Sequence, residues 1–267
     1  MHPMINIAVR AARSAGRVLL RYFDRVETLT VNSKGANDFV TEVDRHAEQA
    51  IIDVLRDKYP QHAILAEESG HHKGGSDEYQ WVIDPLDGTT NYLHGFPQFS
   101  ISIALKYQGR LEHAVVYDPL REELFTATRG SGALLNDRKI RVTARKGLEG
   151  ALVGTGFPYR DHRHLDAYLD MFRTILTQTA GIRRPGSAAL DLAYVAAGRF
   201  DGFWELGLAE WDLAAGALLV KEAGGIVTDI DGSDGYLQTG NIIAGGIKHH
   251  HALLRAVQPY LDNGLRA

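Results

Sequence analysis

Two aspartates three positions apart, Asp84 and Asp87, end an apolar run in the stretch WVIDPLDGTTNY. Pro85 fixes its own φ and carries no N–H, so the chain must turn there. The turn can bring Asp87 back to the side of Asp84, with the Leu86 carbonyl between them lacking a ladder partner. Two carboxylates and a carbonyl over 84–87 form an all-oxygen cluster suited to a hard cation such as Mg²⁺. Without a cation, neighbouring carboxylates would raise at least one pKa at an energetic cost. Gly88 allows close backbone approach to a ligand, and Thr89 and Thr90 stand where a helix can begin, a place that favours phosphate. The same residue types also populate surface turns, so the string does not decide the matter alone. Other acids shift the balance. Glu67 and Glu68 directly follow a strand expected over 63–66, and Asp212 sits in the apolar helix start WDLAAG. An aspartate flanked by Trp211, Leu213 and Ala214 should be paired, capping or metal-bound.

The elements that must position these groups follow from periodicity. The chain has 267 residues, 45% hydrophobic and 23% charged, which suits one compact soluble unit with two lobes. A net charge of −4 supplies no basic field for nucleic acid. There is no cysteine, which excludes disulfides, thiolate metal sites and a thiol nucleophile. That fits a reducing compartment, and a cytoplasmic location is expected. No apolar run approaches the roughly 18 residues of a membrane span, so no membrane partner is expected. Arg10, Arg13, Arg17 and Arg21 precede the first acid, Asp24, as in an organellar transit peptide. The stripe Met4, Ala8, Ala11, Ala15, Val18 and Tyr22 favours a helix packed on a core instead.

A second helix is expected over 42–59, started by a Thr41/Asp44 capping box and stopped by Pro60. Strands follow over 63–66, 80–83, 100–107, 111–117 and 123–128, with a hairpin turn at Gln108-Gly109. Residues 1–145 thus read as an N-terminal α+β lobe with a largely antiparallel sheet, carrying the DPLDGTT motif. Beyond, strands over 151–154, 182–184, 202–206, 226–229 and 241–244 alternate with helices over 164–177, from Ser187, over 211–223 and over 248–261. Residues 146–267 read as an α/β lobe carrying Trp211-Asp212. No linker, internal repeat or low-complexity tract separates the two.

Several suggestive residues read as structural. His249, His250 and His251 are expected at a solvated helix start, since neighbouring helical positions point in different directions. His71-His72 reads as a polar loop near the mouth of the site, Asp118-Pro119 as a turn, and Asp231 to Asp234 as a hairpin-type loop. Ser187 lacks a nucleophile elbow and reads as a helix cap.

DPLDGTTNY at 84–92 and WDLAAG at 211–216 resemble the two signature motifs of the inositol monophosphatase family. The similarity extends through KGANDFVTEVD at 34–44, EES at 67–69 and GSAALDLAYVAAGRFDGFWELGL at 186–208. This resemblance implies a layered αβαβα sandwich and a Mg²⁺-dependent phosphomonoesterase acting on inositol 1-phosphate and small polyol phosphates. It implies two to three Mg²⁺ ions: Glu67, Asp84 and the Leu86 carbonyl for the first, Asp84, Asp87 and Asp212 for the second, and a looser third leaning on Glu67. Asp44 and Thr89 would orient the attacking water, and the N–H groups of Gly88 and Thr89 would bind phosphate. Ala188, Glu205 and Asp212 would meet the hydroxyls of the alcohol, with Lys34 near the site on a mobile loop. Inhibition by Li⁺ and a homodimer or monomer–dimer equilibrium are also implied. Two other readings come from the same source: a phosphatase for sugar bisphosphates or 3′-phosphoadenosine compounds, and a ribosomal RNA antitermination factor contacting RNA polymerase or Nus factors. For the latter, the first-helix arginines and Arg183-Arg184 are conceivable contact points, although no RNA-binding motif accompanies them.

Overall fold

The computed structural model describes residues 2–23, 25, 31–35, 38–158, 162–262 and 264–265, with backbone alone for 31–35, 38–40 and 77. Helices α1 (Pro3–Phe23) and α2 (Glu42–Lys58) flank a ribbon of β1 (Val31–Gly35) and β2 (Asp38–Thr41). Strands β3 (His62–Ala66), β4 (Gly70–His72), β5 (Ser76–Asp87), β6 (Ser100–Tyr107), β7 (Arg110–Asp118), β8 (Glu123–Thr128), β9 (Gly132–Leu135) and β10 (Arg138–Lys139) follow, with α3 (Thr89–Leu93) between β5 and β6. They form one sheet in the order β10-β9-β8-β7-β6-β5-β3-β4, in which β3 and β5 run parallel and the other neighbours antiparallel.

The remainder comprises β11 (Leu152–Thr155), α4 (Leu165–Leu176), β12 (Gly181–Arg183), α5 (Ala188–Ala196), β13 (Gly202–Glu205), α6 (Glu210–Glu222), β14 (Gly225–Thr228), α7 (Tyr236–Thr239), β15 (Ile242–Gly246) and α8 (Ile247–Val257). Its five strands form a mixed sheet in the order β12-β11-β13-β15-β14.

The period-two alternation of the strands sorts the core into layers. On one face of the large sheet Trp81, Ile83, Ile103, Leu105 and Val115 pack against α1 and α2. On the other face Val82, Ala104, Ala114 and Val116 join Leu192, Ala193, Leu213 and Ala217 of α5 and α6, together with Phe203 and Ala244 of the small sheet. The far face of the small sheet, with Val153, Trp204 and Ile243, meets Met171 and Leu253 of α4 and α8. The result is the five-layer αβαβα sandwich. Helix α6 is buried without a break from Asp212 to Val220, as a helix covered on both sides must be.

Strands β6 and β8 coincide with the expected segments, but β6 is covered on both faces. Its inward Ile101, Ile103 and Leu105 lie under α1 and α2, while the small Ser100, Ser102 and Ala104 are buried beneath α5 and α6. The capping box of α2 is present: Thr41 Oγ1 accepts the Val43 and Asp44 N–H groups, and Asp44 Oδ2 accepts the Thr41 N–H at 2.9 Å. The arginine-bearing first segment is a core helix, with Ala8, Ala11, Ala15 and Leu19 buried. Two local expectations are corrected. His71-His72 belongs to edge strand β4, paired to β3; Gly-His-His is too short for periodicity to reveal. His249 and His250 are 0% and 2% exposed rather than solvated. His249 Nδ1 lies 2.7 Å from the Gly147 carbonyl and His250 Nε2 2.9 Å from Thr228 Oγ1, because α8 lays that face on the small sheet.

Gly216 sets the spacing of the central helices: a Cβ there would lie 2.5 Å from Leu192 Cβ on α5. A glycine in a helix interior costs about 1 kcal/mol against alanine, so its place is explained by this contact. A Gly216→Val protein should therefore lose about 1–3 kcal/mol of stability by overpacking, read as a lowered Tm. An unchanged melting curve would show that the helix spacing is set elsewhere.

Candidate active site

Strand β5 delivers both aspartates by breaking its own ladder. Asp84 pairs with Ser102 and Asp87 with Ser100, and the register shifts between them at Pro85-Leu86. Within this bulge the Leu86 N–H donates to Asp84 Oδ1 at 2.9 Å. The Leu86 carbonyl, outside the ladder as expected, accepts the Thr89 hydroxyl at 3.1 Å. The chain then passes through Gly88 at φ 101°, a left-handed conformation that favours glycine. A Cβ there would also stand 2.9 Å from the Gln98 carbonyl. Helix α3 starts immediately afterwards at Thr89, and Tyr92 anchors it by donating to the Leu19 carbonyl of α1 at 2.6 Å.

The third carboxylate arrives from the distant α6. Asp212 Oδ2 accepts the Ala209 N–H at 2.7 Å, the reciprocal half of a capping box. Lys106 of β6 holds the start of the same helix through an ion pair to Glu210 at 2.7 Å. One ligand oxygen each from Asp84, Asp87 and Asp212 lies within 4.8 Å of the others, and the three residues are 1%, 8% and 9% exposed.

Asp87 is fixed from a direction that the local sequence does not reveal. Its Oδ2 accepts the Ser187 hydroxyl at 2.6 Å and the Ala189 N–H at 2.7 Å, both at the start of α5. Ser187 occupies the N-cap position but makes no capping bond with its side chain. The expectation of a helix cap is thus corrected: the hydroxyl is committed to Asp87. Asn91 locks the same region by donating to the Gln98 and Pro185 carbonyls at 2.7 and 2.8 Å.

The electrostatics match a cation site. Burial, then the charges of Glu67, Asp87 and Asp212, hold the Asp84 carboxyl well above the usual range. Burial likewise lifts Asp87 to about 6, against the Ser187 and Ala189 hydrogen bonds that lower it. Three buried like charges at this separation are costly alone, and all-oxygen donors suit a hard divalent ion. The residues present therefore fit a divalent cation. Glu67 lines the same cavity of about 640 Å³, but it is not one of the three residues whose ligand oxygens converge within 4.8 Å. Its neighbour Glu68 is held by an N–H bond to Glu48 Oε2 of α2 at 2.8 Å.

Asp44 is fully buried and its carboxyl is raised by that burial. Its Oδ1 accepts from Thr89 Oγ1 at 3.2 Å, so the pair expected from the resemblance is in contact. The single Thr89 proton is directed to Asp44 and the Leu86 carbonyl, which leaves the hydroxyl able to accept a bond from water. Gly88, Thr89, Ala188, Glu205 and Asp212 all border the cavity. Lys34 falls in β1, and its side chain lies outside the described residues. Sequence reasoning missed Ser187, Glu48, Asn91 and Asp191 as parts of the site; a hydroxyl or acid next to apolar positions was the only local signal.

The model of the inositol monophosphatase family matches residues 1–261. The chain is 60% identical to the Nus factor SuhB of Pseudomonas aeruginosa over 270 aligned positions, covering all of both chains. Among solved structures, it resembles the extragenic suppressor protein suhB from Bartonella henselae with a TM-score of 0.94 and 47% identity, covering 96% of this chain and 99% of that one. It also resembles the inositol monophosphatase from Anabaena (Nostoc) sp. PCC 7120, at TM-score 0.84 and 41% identity, covering 96% and 95%.

The raised carboxyl groups generate a signed prediction. A group whose folded pKa exceeds its unfolded value stabilises the fold below the unfolded pKa and loses that contribution as pH rises through the folded one. Metal-free protein should therefore lose stability as pH climbs from about 3.8 through about 6, the Asp87 range. Mg²⁺ should restore it, raising Tm more at pH 7.5 than at pH 5 against an EDTA control. Equal melting with Mg²⁺ and EDTA at pH 7.5 would contradict a cation site.

Proposed function

The chain belongs to the inositol monophosphatase family, and on that premise we propose that it hydrolyses inositol 1-phosphate and similar small polyol phosphates. It is a metal-dependent phosphomonoesterase. The observation that carries this reading is the convergence of Asp84, Asp87 and Asp212 within 4.8 Å at the wall of one cavity.

In this reading Glu67, Asp84 and the Leu86 carbonyl would hold one Mg²⁺, and Asp84, Asp87 and Asp212 would hold a second, with Glu67 serving a looser third. Bound there, the ions supply Lewis acidity and a nucleophile at neutral pH. The chain's own groups supply position. Asp44 accepts the Thr89 hydrogen bond, so Thr89 presents its lone pairs and aims the attacking water. Thr89 is no base itself, since an ordinary hydroxyl holds its proton too tightly. The N–H groups of Gly88 and Thr89 face the phosphate oxygens, where charge spreads in the transition state. The Ala188 backbone and the Glu205 and Asp212 carboxylates receive hydroxyls of the alcohol. No covalent enzyme intermediate is needed, and the chain has no cysteine to form one.

A second reading rests on the name of the Pseudomonas aeruginosa relative, Nus factor SuhB: a contact with RNA polymerase or Nus factors in ribosomal RNA synthesis. Nothing in catalysis forbids a surface used for both.

Turnover of inositol 1-phosphate, a sugar bisphosphate and a 3′-phosphoadenosine compound by purified protein tests the substrate class; the first should win. Rising LiCl should slow the reaction, and a flat rate would count against the second cation position. Asp87→Asn should keep the fold and lower Mg²⁺-dependent turnover about a thousandfold, since several kcal/mol of charge stabilisation is lost. Near-normal turnover would remove Asp87 from the chemistry. The same variant, placed in a strain lacking its own relative, separates the two functions. Rescue of transcription by an inactive protein would assign that role to a surface rather than to hydrolysis.

A further inference from the structure

Asp191 lies on α5 one turn beyond Ala188, and residues three apart share a helix face. Both border the cavity, as does Glu205. Asp191 is only 1% exposed, and its buried Oδ1 has no hydrogen-bond partner among the described residues. That is a costly arrangement for a carboxyl group, whose desolvation a hydrogen bond normally offsets. Burial and the Glu205 and Asp87 charges hold it well above the usual carboxylate range, against the nearby Arg184.

Several other polar side chains that border the cavity are already engaged. The Thr155 hydroxyl lies 3.0 Å from the Tyr168 hydroxyl and donates to the Trp204 carbonyl at 2.9 Å. Ser187 is given to Asp87. Asn91 donates to the Gln98, Pro185 and Gly186 carbonyls, and Asn241 Oδ1 accepts the Gly207 N–H at 3.1 Å. Asp191 is left as a carboxyl group on the cavity wall whose Oδ1 has no hydrogen-bond partner among the described residues.

We propose that Asp191 is a specificity-determining residue: its carboxyl hydrogen-bonds a hydroxyl on the alcohol part of the substrate and selects polyol phosphates over alkyl and aryl phosphates. This rests on the phosphatase reading above and names what that site discriminates. A substrate without the hydroxyl leaves the buried group unpaired, which rejects it more strongly than lost contact area would. At the cation end of the cavity Asp87 is hydrogen-bonded by Ser187 and Ala189 rather than by Asp191.

The test compares kcat/KM for inositol 1-phosphate with that for phenyl phosphate in the Mg²⁺-loaded parent, Asp191→Asn and Asp191→Leu. Asparagine keeps a donor and an acceptor of nearly the same shape; leucine keeps the volume and removes both. The Leu variant should lower the ratio of the two specificities about tenfold, mainly through a higher KM for inositol 1-phosphate, as one buried hydrogen bond is worth. The Asn variant should stay within about threefold of the parent. A ratio unchanged in the Leu variant, or equal losses on both substrates, overturns the assignment. Should the Leu protein not fold, Asp191→Ala is read by the same ratio. A parent that hydrolyses the two esters equally well also overturns it. A parent that hydrolyses neither refutes the phosphatase reading instead, and the two failures are distinct.

Discussion

Three carboxyl groups are forced together at the wall of one cavity, and the layers around them keep them there. Each has one oxygen tied to a backbone N–H: Asp84 to Leu86, Asp87 to Ala189 and Asp212 to Ala209. A backbone donor is the most rigid partner available, since its position is fixed by the element that carries it. Repulsion among the carboxylates is thereby opposed by three separate anchors on a bulge and two helix starts. The ligand geometry is consequently no better than the docking of α5 and α6 against β5.

That docking explains features otherwise unrelated. The face of β6 turned to α5 and α6 carries Ser100, Ser102 and Ala104, small enough to admit helices close to the strand. Ser102 also donates to the Trp211 carbonyl at 3.1 Å, fixing the approach to Asp212. Gly216 brings the two helices together, and Asn91 sews the α3 turn to the loop before α5. Packing and chemistry share the same residues here, so the central layer has little room for neutral change.

Much of this was legible in the chain. Alternation placed β6 to the residue, because Ile101, Ile103, Leu105 and Tyr107 recur at every second place, and β8 follows at its expected bounds as a further strand of the meander. Asp84 and Asp87 declared themselves through the proline between them, and Asp212 through its apolar neighbours. What remained hidden depends on partners far along the chain. Ser187 reads as a cap because its N-cap position is local, whereas its actual partner, Asp87, is a hundred residues away. His249 and His250 read as solvated because a helix pattern does not say what will lie over it; the small sheet does. Glu48 and Asp191 look like ordinary helical acids until their neighbours are in place.

The order of the layers along the chain also bears on biosynthesis. The large sheet is complete once residue 139 has been made, but its second face is covered by α5 and α6, which end at residues 196 and 222. A ribosome adding about 5–20 residues per second leaves that apolar face without its cover for on the order of ten seconds. How long that face waits for its cover is dictated by where the central helices fall in the reading frame.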